Sequence, residues 1–112
     1  MFMNYFELYQ GDSYKLPVKV QIGDKVIVDT DVSKVEFLFG NVLKTYPDNG
    51  VTYKDNNFII DLSSKNTASI PSGIEKHLQA KVYFKSDDTK HTECVPFIMK
   101  PSHFEMVGDS DG

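Results

Sequence analysis

Three histidines and one cysteine are the residues of this 112-residue chain best suited to metal or nucleophilic chemistry. His91 and Cys94 stand i, i+3 in a stretch whose alternation predicts a strand. A strand sends residues at that spacing to opposite faces, so a single zinc ion takes both only across a bulge. The same geometry keeps a Cys94 thiolate from His91 as its base, and no nucleophile motif surrounds the cysteine. His77 precedes a predicted strand and His103 lies beyond Pro101. The reading that follows is solvated histidines and an inert, half-buried thiol. Asp29-Thr-Asp31 and Asp87-Asp88 would suit calcium if their two loops met, since calcium takes six to eight oxygens. Aspartates also populate turns because they hydrogen-bond the local backbone, and that ordinary role is preferred here. No glycine-rich phosphate loop, nucleophile elbow or placed pair of carboxylates is present. The sequence therefore predicts no catalytic residue, no metal and no cofactor.

Aromatic side chains offer a different chemistry, that of contact. Six tyrosines and eight phenylalanines make up 12% of the chain. The phenylalanines fall mostly on inward positions and are core by default. Tyr9, Tyr53 and Tyr83 fall on or near outward positions, where a tyrosine can anchor a protein interface or a sugar platform. Ordinary strand propensity on a wet sheet face also accounts for each of them singly. Pro17 joins them as a candidate interface residue, because a proline inside a strand pattern marks a sheet edge or a bulge.

The elements that position these residues are strands. Tyr14, Leu16, Val18, Val20 and Ile22 alternate strictly with Lys15, Pro17, Lys19 and Gln21, as a strand with one buried and one wet face requires. Gly23-Asp24 reads as a turn wanting positive φ at its first position, leading into Lys25 to Val28. Val35, Phe37 and Phe39 share the next inward face. Pro47-Asp-Asn-Gly50 and Asp55-Asn-Asn57 bound two further short strands, and Phe58, Ile60 and Leu62 point inward again. Residues 63–70 are the only stretch able to hold a helical turn, begun by a serine cap and stopped before Pro71. Leu78, Ala80, Val82 and Phe84 form another clean face, and Lys90 to Met99 closes the pattern. The expected core is Leu16, Val18, Val20, Val35, Phe37, Phe39, Phe58, Ile60, Leu62, Ala80, Val82 and Phe84. About eight strands with turns every 8–12 residues and no amphipathic helix predict an all-β, antiparallel sandwich, with a small closed barrel as the rival. The expected organisation is one domain over residues 1–104 and a mobile acidic tail over 105–112.

Charge and composition narrow the function further. Lysine supplies all 12 basic charges, with no arginine and no tryptophan, and the formal net charge is −4. Three of the sixteen acids sit in the last eight residues, which leaves the body nearly neutral. A nucleic-acid binder would show a basic face and arginines for bidentate contacts, so no nucleic-acid partner is expected. No apolar stretch approaches the length of a membrane span, and the start lacks the pattern of a signal peptide. A lone cysteine fits a reducing compartment. A protein made in a cytoplasm, with no membrane partner, is the expectation.

In order, several segments resemble the N-terminal domain of phage baseplate upper proteins and related tail structural proteins of Gram-positive phages and prophages. They are Gly11-Asp12-Ser-Tyr14-Lys-Leu16-Pro-Val18; Val28-Asp29-Thr-Asp-Val32-Ser-Lys-Val35-Glu-Phe37; Phe58 to Leu62 running into Ser63 to Ile70 and Pro71-Ser-Gly73; and Gln79 to Thr92 and on to Ile98. The resemblance covers about residues 5–100 and rests on a rhythm of turns and core positions. The chain departs from that pattern at Ile74-Glu-Lys-His77, where the family has an aromatic, and it carries no long C-terminal extension. The resemblance implies an immunoglobulin-like sandwich of about 7–8 strands with at most one short helical turn at 63–70. It also implies a virion structural protein of tail, baseplate or neck, non-enzymatic, docking to other virion proteins in homo-oligomeric or ring-arranged copies. The competing expectation is a carbohydrate-binding or host-surface adhesion module.

Overall fold

The computed structural model describes residues 6–92 and 95–102, the side chains of Ile74 and Glu75 aside. The predicted tail over 105–112, with Cys94 and His103, lies outside the described residues. Within them the chain is all-β. It runs β1 (Phe6–Tyr9), β2 (Tyr14–Val18), β3 (Gln21–Ile22), β4 (Lys25–Val26), a 3-10 turn (Asp29–Asp31), β5 (Val32–Phe39), β6 (Val42–Tyr46), β7 (Val51–Lys54), β8 (Asn57–Leu62), α1 (Ser64–Ser69), β9 (Gly73–Phe84), β10 (Thr89–His91) and β11 (Val95–Lys100).

The strands form two main sheets. The larger has the order β1-β11-β9-β5-β6, with β10 also on β9, and the smaller has the order β2-β8-β7. Both paths are open, so the barrel alternative falls. The sheets share one core: Val35, Phe37 and Phe39 of β5 and Phe58, Ile60 and Leu62 of β8 are almost fully buried. The rings of Phe37 and Phe58 meet across it at 5.8 Å. Of the expected core, Leu16, Val18 and Phe84 are only partly buried, while Leu8, Ile27, Val32, Val42, Val51, Ile70, Leu78, Phe97 and Met99 join it.

Local chemistry explains most boundaries. Gly23 takes φ of 61° in the β3–β4 turn, and Asp55 and Asn56 take 52° and 67° in the β7–β8 turn, the positive pair that a tight two-residue hairpin needs. Ser63 caps α1: its hydroxyl accepts from the Asn66 amide at 3.1 Å, and the Asn66 side chain returns the bond to the Ser63 amide at 2.9 Å.

Two expectations require correction. The sheets are not antiparallel throughout, because β1 lies parallel to β11, with Phe6 opposite Phe97 and Tyr9 opposite Lys100. The first strand pairs with the last across the fold rather than with the second through a hairpin, so the larger sheet is mixed. The run Tyr14–Ile22 is also not one strand. Val18 opposes Phe58, and β8 begins one residue earlier at Asn57, so β2 runs out of partner. The chain then pairs with itself: Gln21 opposes Val26, and the Ile27 amide donates to the Val20 carbonyl at 2.8 Å. Among the described residues there are eleven strands where the alternation presented about eight: Tyr14–Ile22 divides into β2 and β3, the closing run into β10 and β11, and β1 is added.

Candidate docking cleft and sheet edges

The split of β2 from β3 opens a cleft. The three-stranded sheet ends at β2, while the larger sheet continues past β9 to β11 and β1. At one end of the molecule that surplus is covered by α1 and the residue after it. The buried Thr67 hydroxyl donates to the Asp12 carbonyl at 2.7 Å and accepts from the Gly11 amide at 2.9 Å. The Gln10 side chain donates to the Ile70 carbonyl at 2.8 Å, and Asn41 to that of Ser69 at 3.1 Å. At the other end nothing comparable among the described residues covers the inner face. A cleft of about 440 Å³ runs there between Val18, Val20 and Ile22 on one wall and Leu78, Ala80 and Val95 on the other, with Phe37 at its base. Its rim carries Lys19, Gln21, His91 and Thr92. Val95 is 39% exposed although its strand partner Leu78 is buried, a direct sign of the opening.

Pro17 sits on the open edge beside this cleft. The Asp61 amide donates to the Gly50 carbonyl of the β7 side at 2.8 Å. Alternation along β8 therefore turns Ile59 toward β7 as well, and Pro17, opposite Ile59, directs its nitrogen away from β8. The missing amide costs the sheet nothing there and removes one donor from the free edge, a familiar guard against unwanted strand pairing. Lys15 and Lys19 flank it in exposed positions.

The three tyrosines are not brought together. Tyr9 is 47% exposed on β1, with the Lys100 ammonium 5.6 Å from its ring centre. Tyr83 is half-buried: its hydroxyl donates to Glu36 at 2.7 Å, and the Lys34 ammonium lies 4.4 Å from the ring centre. Tyr53 is not on the wet face that the sequence suggested. It opposes the buried Phe58 and packs on that ring at 4.9 Å, edge to face. Partial desolvation and the nearby Asp29 carboxylate raise its hydroxyl above the ordinary tyrosine range. Tyr14 is likewise raised, by desolvation first, with the Asp12 charge adding to it against the opposing bond from the Tyr9 amide.

The sequence reading did not pick out Leu38 and Leu43, which are direct cross-strand partners and are 44% and 48% exposed. Alternation already turned Leu38 outward, but its pairing with Leu43 needs the β5–β6 register.

The two aspartate loops do approach each other, since the Lys85 amide donates to the Asp31 carbonyl at 3.2 Å. The Asp31 carboxylate, however, accepts from the Val28 amide at 3.2 Å and faces Lys25 at 3.8 Å. Among the described residues no three His, Cys, Asp or Glu side chains are grouped to hold an ion. His77 and His91 are exposed on β9 and β10, so His77 lies within a strand rather than ahead of one. No described helix is long and apolar enough to cross a membrane.

No protein-family model matches the sequence, and a search of curated proteins finds no match.

Proposed function

We propose that this chain is a non-enzymatic docking module of a phage or prophage virion, built as an immunoglobulin-like sandwich. The observation that carries the reading is strand order. The path β11-β9-β5-β6 facing β2-β8-β7 follows the G-F-C-C′ and B-E-D orders of that architecture. The chain's sequence of turns resembles phage tail modules over the same span. Its contact chemistry suits docking: an apolar cleft, an exposed Leu38–Leu43 pair and the edge at β2 offer surfaces for a partner strand or sheet. Copies arranged in a ring multiply contacts that are weak singly. Such docking rests on apolar and backbone contacts and weakens only modestly as salt is raised.

The test is immunogold labelling of purified virions, combined with light scattering of the protein against candidate tail and neck proteins. A label at a fixed position on the particle and a defined complex support the reading. A strictly monomeric protein that ignores virion components but is retained on a cell-wall polysaccharide column overturns it in favour of sugar binding.

A further inference from the structure

We propose that the cleft binds a single straight aliphatic chain ending in a carboxylate, the chemistry of a free fatty acid. The inference concerns the cleft alone; the virion reading rests on strand order and survives its failure.

Size and lining are the first argument. At about 440 Å³ the cleft lies within the roughly 300–1,000 Å³ of small-molecule sites. Val18, Val20, Ile22, Ala80 and Val95 wall it, with Phe37 beneath. Such walls favour methylene groups by removing them from water.

Backbone accounting is the second, and it sets an acyl chain above a peptide strand. On one wall the Val20 carbonyl already accepts from the Ile27 amide at 2.8 Å, and Gln21 and Ile22 are paired with Val26 and Lys25. On the other, the Thr92 amide donates to the Ala80 carbonyl at 2.9 Å, and the Thr92 hydroxyl accepts from the Ala80 amide at 3.0 Å. The Gln79 side chain donates to the Thr92 carbonyl at 3.0 Å. Along the adjoining edge Pro17 withholds a donor. Peptide groups carried into the cleft would lose water without finding partners, a cost that hydrocarbon does not incur.

Charge is the third. The rim carries Lys19 and His91, both exposed, and no described acid lines the cleft. The ion pairs among the described residues engage Lys15, Lys25 and Lys100, and leave Lys19 without a carboxylate. The Gln21 side chain is taken up by the Gly23 carbonyl at 3.1 Å. A carboxylate at the mouth supplies the partner that Lys19 lacks while its chain lies inward. The sequence has no arginine, whose fork would favour a phosphate head instead.

The experiment loads the full-length protein with a dye that fluoresces on exposed apolar surface, then titrates dodecanoate below its micelle concentration. Saturable displacement by one molecule per chain is expected, with chemical-shift changes confined to the valine, isoleucine, leucine and alanine methyls of the cleft. From octanoate to dodecanoate the affinity should rise by up to about fourfold per added methylene. Dodecylamine, with the same chain and the opposite charge, should bind several-fold more weakly, and Lys19→Glu should reverse that order. Val95→Gln, at a wall position 39% exposed, should weaken binding several-fold with the thermal midpoint kept. If that variant does not fold, Lys19→Glu alone decides. Absence of saturable displacement overturns the proposal, as do equal affinities for acid and amine, or binding that neither variant changes. Tighter displacement by an uncharged apolar peptide overturns it too, since the cleft then belongs to a partner strand. So do methyl contacts from the cleft to a second, differently labelled copy in the unliganded protein.

Discussion

The two ends of the molecule solve one problem in opposite ways. Both must cover inner surface of a larger sheet that the three-stranded sheet is too narrow to reach. At the α1 end the cover is a six-residue helix held by directional bonds, with the buried Thr67 hydroxyl satisfied by the two backbone groups of the β1–β2 turn. At the cleft end the walls are valines, isoleucine, leucine and alanine, which attract apolar matter without specifying its position. Hydrogen bonds fix a cover because leaving one unmade is costly; apolar contact alone accepts any occupant of suitable shape. The first end specifies its cover; the second does not.

The largest expected effect lies at the wall common to both sheets. Phe37→Ala should cost about 3–5 kcal/mol in urea unfolding, because the ring is fully buried, packs on Phe58 and forms the base of the cleft. A soluble variant with an unchanged midpoint would remove β5 as that wall. Next comes the closed end: Thr67→Val keeps the shape but strands the Gly11 amide and the Asp12 carbonyl. A loss of about 1–3 kcal/mol is expected, with faster amide exchange at Gly11 and no added dye binding at the cleft. If dye binding rises instead, the two ends are coupled and the contrast between them fails.

The tyrosines give a smaller and sharper test. Tyr53→Ala should cost about 1–2 kcal/mol through its lost edge-to-face packing on Phe58. Tyr9→Ala, at an exposed site, should change thermal or urea midpoints by less than about 0.5 kcal/mol. The smallest effect is a pH dependence at the closed end. Tyr14 ionises above its ordinary 10.0 in the folded chain because burial disfavours the phenolate. The folded state therefore holds its proton while the unfolded state loses it, so stability present below pH 10 declines as pH rises through the folded value. Lys100, raised by its bond to Glu7, acts in the same direction. Thermal scans should fall in midpoint above about pH 10, and less steeply for Tyr14→Phe.

Much of the fold was legible because local rules decide it. Gly23, Asp55-Asn56 and Ser63 each announce a turn or cap through residues that few other conformations favour, and the alternation of β5, β8 and β9 places their inward faces. The β2–β3 break was not legible, since the pattern Tyr14 to Ile22 continues unbroken while its partner strand ends. The parallel pairing of β1 escaped for a related reason: nothing in Phe6 to Tyr9 specifies a partner at the far end of the chain. Thr67 sits in a run of serines, lysine and asparagine that reads as solvated, and its burial depends on the β1–β2 turn folding over it. Tyr53 reads as outward in the sequence because a four-residue strand gives too little alternation to fix its face. The cleft is a property of two sheets of unequal width, and no window of sequence contains it.

Pairing the first strand with the last also sets a timetable. Phe6 and Phe97 are separated by about 90 residues, so a ribosome adding about 5–20 residues per second makes β1 on the order of 5–20 seconds before its partner exists. Throughout that interval Leu8, destined for the core, has no Met99 to pair with. The sheet edge that is earliest in the chain is the last to form, and a nascent chain arrested before β11 carries an unpaired apolar strand, the kind of segment that chaperones and proteases recognise.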